Sequence, residues 1–308
     1  MEIIDISRKV FSKSKEFEVR EDIIVPDSKP DIVNIIDCSD ITYAYKTELT
    51  SGKIKLDGNI EAYIDYLSSD GGTRGITNTL NFVDTIEDTQ IKEESYFKYE
   101  IETIKIEHKI LNERKVSLVF TLKVKYDVFE KQKVEFYNDF DNIENIQKME
   151  NLITVNSLLG VGISKASIKE DIKIADMDNV AEILRSQINI NNSEYKISYN
   201  KILAKSEADI NIMYLTEDDR ISNVTATLPI MSFIEMDNIK DGDSCNVSYQ
   251  IRNVLIKPNN QENHSIACQI EFEILAEGYL QKELNIVNDI YSLTNELNFN
   301  SKIIELEN

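Results

Sequence analysis

The sequence predicts a mainly β protein: two tandem β-sandwich or barrel-like domains, each with one short helix. Three observations predict it. Long runs alternate apolar and polar residues. The pattern of those runs occurs twice, with Ile202 standing 148 residues after Ile54 and Ile266 standing 150 after Val116. Hydrophobic residues make up 42% of the 308, enough to fill cores, yet no apolar run approaches the ~18 residues of a membrane span.

The elements follow in order. Residues 1–15 read as an N-terminal arm, and 16–140 as the first domain. Within it, Pro30 to Ile36 is expected to be a short helix, with proline in a first-turn position and Asp31 beside it. Ile54, Leu56, Gly58, Ile60, Ala62, Ile64 and Tyr66 take every second position, which defines the buried face of an antiparallel strand. The intervening Lys53, Lys55, Glu61 and Tyr63 form a solvated face, or a contact face in a lattice. Ser68 to Gly75 is a loop tip holding three of the nine glycines. Residues 96–110 and the alternating run from Val116 to Val128 make a hairpin about Asn112-Glu113. Residues 141–164 are a linker, polar or briefly helical over 141–150. The second domain, 165–291, repeats the first. Asp178 is an N-cap for its short helix, 178–184. At an offset of 150, Tyr99 meets Tyr249 and Ile101 meets Ile251. The tail, 292–308, is an extra edge strand or a docking arm.

Charge narrows the function. With 34 Lys plus Arg against 55 Asp plus Glu, the net charge is −21. Phosphate backbones and anionic membranes both favour a basic surface, so neither nucleic acid nor membrane insertion is expected. The acidic N-terminus lacks the basic start and apolar core of a signal peptide. A cytoplasmic site of synthesis is expected.

The chemical inventory is thin. Cys38, Cys245 and Cys268 are far apart and form no Cys-x-x-Cys, so zinc and redox motifs lack support, although one disulfide or inter-chain cross-link is compatible with them. His108 and His264 do not occupy equivalent repeat positions, and neither has a nucleophile at a recognisable spacing. Glu217-Asp218-Asp219 and Asp241-Gly242-Asp243 are the candidate calcium loops, since hard cations want several carboxylate oxygens. Neither has EF-hand spacing, and both read as solvated hairpin tips. Asp139 and Asp141 carry the same reading. The absence of tryptophan argues against a sugar-processing cleft. No catalytic, cofactor or metal residue is assigned.

One motif stands out. Glu21-Asp22, a strand, and then Val25-Pro26-Asp27-Ser28-Lys29-Pro30-Asp31-Ile32 resemble the SPOCS domain of clostridial endospore-coat and spore-morphogenesis proteins. Gly52-Lys53-Ile54-Lys55-Leu56-Asp57-Gly58, with its strand ending at Tyr66, resembles it too. In the second repeat Ile174-Ala175-Asp176-Met177-Asp178 replaces the motif and both prolines are gone. Pro26, Asp27, Lys29, Pro30 and Asp31 read first as a structural corner, because the prolines fix φ and Asp31 favours a helix start. The other reading is a docking corner.

The resemblance implies a protein of the mother cell that is placed on the endospore surface and acts as scaffold or adaptor without catalysis. The family's morphogenetic members end in a LysM domain, for which no room follows residue 291. The expected function is therefore a structural subunit of coat, exosporium or spore appendage, assembling with itself or with other spore-surface proteins. The alternatives are a monomeric adaptor between coat proteins, and a glycan- or peptide-binding module.

Overall fold

The computed structural model describes residues 2–137, 140, 145–175, 178–259, 264–294 and 296–297. Within them the chain is twelve antiparallel strands. The first six are β1 (Glu2–Ile24), β2 (Ile32–Thr50), β3 (Lys53–Ser68), β4 (Thr73–Glu87), β5 (Tyr96–Asn112) and β6 (Lys115–Phe136). The second six are β7 (Ile146–Lys173), β8 (Val180–Ser198), β9 (Lys201–Thr216), β10 (Ile221–Glu235), β11 (Ser244–Pro258) and β12 (Ser265–Ser292).

They form four three-stranded sheets. In the first half these are β1-β6-β5 and β2-β3-β4; in the second half β7-β12-β11 and β8-β9-β10 follow the same order. Each half is a two-sheet sandwich. Val116, Leu118, Phe120 and Leu122 of β6 meet Ile60, Ala62, Ile64 and Tyr66 of β3 in one core. The copies match in detail. Ile32 pairs with Ser68 as Val180 pairs with Thr216, and Gly52 (φ 79°) turns the first hairpin where Asn200 (φ 59°) turns the second. A left-handed φ needs glycine or a short polar side chain, which is why only those residues stand there.

Neither expected helix exists among the described residues; β2 and β8 replace them. The cause is a pair of β-bulges. Register shifts at Ile32/Asn34 and Ile35/Asp37 insert one extra residue each, so the buried Ile32 and Ile35 recur every third position. That spacing imitates a helical face. The second half repeats it, with shifts at Val180/Glu182 and Ile183/Arg185. The β-branched Ile32, Val33, Ile35 and Ile36 suit an extended backbone better than a helix.

The boundaries at 16 and 165 fall inside strands. Residues 2–15 are the outer part of β1, paired along β6, and residues 146–164 belong to β7, paired with β12. There Ile4 and Val134 pack on Leu284, so the ribbon of the first half lies on that of the second. Most of the 292–308 tail and residues 141–144 lie outside the described residues. The repeat register in β5 also differs from the expected one. Tyr99 pairs Tyr126 and Val247 pairs Ala276, which makes Val247, not Tyr249, the counterpart of Tyr99. A slip of two keeps every side chain on its face, so alternation alone does not detect it.

Candidate functional site at the junction of the halves

The Pro26–Asp31 corner joins β1 to β2, and Arg114 clamps it from the β5–β6 turn. Its guanidinium donates to the carbonyls of Val25 (3.0 Å), Pro26 (2.9 Å) and Lys29 (2.7 Å) and to the Asp31 carboxylate (2.9 Å). Asp27 stands 3.5 Å from Arg114, and the Tyr66 hydroxyl donates to the Pro30 carbonyl at 3.0 Å. Of these carbonyls only that of Pro26 also accepts a backbone N–H, that of Lys29 at 2.9 Å, and the planar Arg114 fork binds the corner's carbonyls together. In the second half His264 takes the place of Arg114. Their carbonyls accept from Ile174 and Val25 in the same way, and the His264 ring lies 2.8 Å from the Asp178 carbonyl. Asp176 and Met177 lie outside the described residues.

Lys29 is the motif residue that leaves the corner. Its ammonium pairs with Glu182 of β8, in the other half. The second Glu182 oxygen accepts the Gly75 N–H at 2.5 Å. Gly75 is needed there: a Cβ would stand 2.8 Å from Leu184 and 3.2 Å from the Ile183 carbonyl. Around this point Arg185 pairs with Asp37, and Arg74 holds Asp219 at 2.6 Å. Asp65 is 8% exposed with one carboxylate oxygen unpartnered. Burial, and then the nearby Glu182, push its pKa up to about 7.

The outer face of the first half's β2-β3-β4 sheet is thus a docking face, not a solvated one. Tyr63 is 3% exposed, and with Ile41 and Tyr43 it joins the hydrophobic core of the second half. Lys53 stays exposed. The sheet looked amphipathic because its outer face mixes these apolar residues with Glu61 and the lysines.

Beside this face lies a cleft of about 360 Å³, lined by Leu49, Tyr96, Tyr99, Ile163 and Leu275 with Arg252 at its wall. Arg252 is the bulge residue of β11, between Ile251 and Asn253, and the bulge aims it across the junction. It donates to the Ala44 carbonyl (2.9 Å) and the Tyr99 hydroxyl (2.7 Å) and pairs with Glu273. Gln250 donates to the Tyr99 carbonyl at 3.0 Å. Glu277, 3% exposed, accepts from Tyr96 and Lys98, both at 2.7 Å. Burial and then the Glu277 carboxylate push the Tyr96 hydroxyl far up, so it stays a donor. Lys98 and Glu277 pair across the two halves, while Arg252 pairs with Glu273 in its own half and reaches the other through neutral acceptors.

The other candidates are dispersed. His108 is exposed on β5. Asp218 accepts from Thr216 and Arg220, both at 2.6 Å, as Asp70 accepts from Ser68 in the first half, and Asp219 (φ 61°) sits where Gly71 (φ 87°) does. That cluster is a repeat of a hairpin turn. Asp243 caps its own turn through the Lys240 N–H at 2.9 Å. Asp139 and Asp141 lie outside the described residues, and no cluster of metal-ligating side chains occurs among those described. The three cysteines are free thiols; burial raises Cys38 to about 12 and both Cys245 and Cys268 to about 11.

Sequence reasoning found Lys29 but missed Glu182, Gly75 and Arg252. A signal existed in the mismatches between repeats: Tyr63 answers to Asn211, Gly75 to Asn223 and Arg252 to Ile104, and such positions are where the halves meet.

An all-β, two-sandwich protein with a charge-paired junction is the class that this geometry defines. Residues 179–259, from the start of β8 through β11, match the family model described as SipL, SPOCS domain. The match falls in the second half, where the proline motif is lost, so the bulged strand and the strands after it carry the family pattern. It links the chain to a family associated with sporulation. No curated protein and no solved structure matches the chain.

Proposed function

We propose that this protein is a non-enzymatic structural subunit of the endospore surface, made in the mother cell and assembled there through its β halves with itself or other spore-surface proteins. The observation that carries the proposal is the SPOCS match at 179–259. The junction supports it. Its half-buried Glu182 and buried Arg252 and Glu277 bridge the halves, as suits a scaffold that must keep one shape. The free cysteines carry protonated thiols, and the His264 ring is engaged with a backbone carbonyl, which fits a protein without nucleophilic chemistry. Neither nucleic acid nor membrane is a partner in this reading, because the net charge is −21. A fluorescent fusion followed through sporulation, with immunogold labelling of released spores, tests it. Signal on the spore surface is the expected result; signal confined to the mother-cell cytoplasm after spore release overturns the proposal.

A further inference from the structure

Because the halves are copies, each part of the junction has a counterpart elsewhere on the molecule. The docking face of the first half is built on Ile41, Tyr43 and Tyr63. The same sheet positions of the second half, 148 residues on, hold Asn189, Asn191 and Asn211, all exposed. Gly75, which lets the partner backbone approach, is answered by Asn223. That face has lost what makes the first one receptive.

The edge that docks is the opposite case. In the second half it is the bulged start of β8, where Leu184, 1% exposed, lies against Gly75, and Arg252 from β11 flanks it. The corresponding bulge residues of the first half are Ile36 and Ile104, with Val33 in the place of Ala181. Ile36 is 56% exposed, Val33 57% and Ile104 43%. Three large apolar side chains therefore stand exposed on one sandwich edge; the copies of two of them are engaged with the first half, Leu184 against Gly75 and Arg252 on the Ala44 carbonyl and the Tyr99 hydroxyl, while Ala181, the copy of Val33, is exposed beside them. Scattered apolar residues on a surface are ordinary, but these have a template for their occupant.

We infer that the β2/β5 edge of the first half, centred on Val33, Ile36 and Ile104, docks on the outer sheet face of a SPOCS-type sandwich in another protein, one that keeps an aromatic or aliphatic triad and a glycine where this chain has Ile41, Tyr43, Tyr63 and Gly75. The partner is a different chain because this one has no vacant face: the first is filled by its own second half, and the second carries asparagines. The molecule is thus a terminal unit, with one receptive edge and one polar end, as capping repeats are in stacked arrays. The inference rests on the proposed structural role and names its partner.

The test restores the missing face. Full-length protein carrying Asn189→Ile, Asn191→Tyr, Asn211→Tyr and Asn223→Gly is compared with the unaltered chain by light scattering after size exclusion, up to about 200 µM. The restored variant is expected to form head-to-tail oligomers, as a heterologous contact requires, in multiples of 35.4 kDa. Adding Val33→Asp and Ile36→Asp is expected to return it to the unaltered protein's size. Circular dichroism and Tm certify that each variant is folded. A restored and folded variant that does not associate overturns the inference, as do oligomers indifferent to the two aspartates. Self-association of the unaltered chain that those aspartates abolish makes the occupant a second copy and overturns the claim of a different partner. Spore-surface labelling is read separately, so loss of the edge contact with labelled spores retained rejects this inference alone.

Discussion

At the scale of residues, two carboxylates at the junction behave differently. Glu182 has a cation and an N–H for its two oxygens, whereas Asp65 is buried with one oxygen unpartnered. Asp65 faces Glu182 from β8 and Asp37 and Cys38 from β2, and Arg185 of β8 pairs with Asp37. With a folded pKa of about 7 against an ordinary ~3.9, the folded state holds its proton more tightly than the unfolded one. The stability from Asp65 is present in full below pH ~4 and is lost as pH rises through about 7. Urea unfolding at pH 5.5 and pH 8 should show that loss, and Asp65→Asn should flatten it by on the order of 1–3 kcal/mol. An undiminished pH slope in the variant would remove Asp65 from the explanation. Glu182→Ala strands Lys29 and the Gly75 N–H together, and should cost about 2–4 kcal/mol in the same assay. The thiols give a third expectation. Cys245 and Cys268 are 5% and 2% exposed, so labelling by a thiol reagent should be slow natively and complete in denaturant.

At the scale of elements, β2 and β8 matter most. Their alternating signal was interrupted by bulges, and the resulting three-residue spacing reads as helix in a one-dimensional pattern. The bulges do work that a regular strand does not. They set Leu184 and Arg252 pointing at the other half, and they leave Ile36 and Ile104 exposed on the first. β3 and β9, by contrast, were legible residue by residue, because nothing breaks their period of two over Ile54 to Tyr66 or Ile202 to Tyr214. What β3 hid was its second face, since a face of Tyr63, Glu61 and Lys53 is ambiguous until its neighbour is known. Gly75→Val should force β8 off β4 and lower Tm by several degrees, with the spectrum still that of a β protein. A Tm within 1 °C of the unaltered protein would show that the approach at Gly75 is not tight.

At the scale of the molecule, the halves share, among the described residues, a core, four ion pairs and a stacked pair of ribbons. They should therefore unfold in one transition. Tyr63→Ala removes a ring buried between them and should cost about 3–5 kcal/mol. If the halves were independent, the same change would leave one transition unmoved and split the calorimetric peak, which is the outcome that rejects a shared core. The asymmetry of the pair is the larger point. Duplication supplies two copies of each surface, and divergence has made one copy of the docking face apolar and the other asparagine-rich. End-to-end stacking of identical chains by this contact is thereby blocked, and a surface of net charge −21 opposes it further.

The sequence by itself determined most of the strands, the duplicated pattern and the resemblance to the SPOCS family, because each rests on local periodicity or on comparison along the chain. Period two survives in β3, β6 and β9, and the turn residues Gly52 and Asn200 mark the same hairpin in both copies. Tertiary structure alone decided which polar-looking face is buried, what Lys29 reaches, and why the chain after the Pro26–Asp31 corner enters a strand at Ile32 and not a helix. Those outcomes depend on contacts between residues far apart in the chain, such as Lys29 with Glu182, 153 positions on, and Tyr96 with Glu277, 181 positions on. No local pattern encodes the free energy of such contacts, since it arises only when both surfaces leave water together.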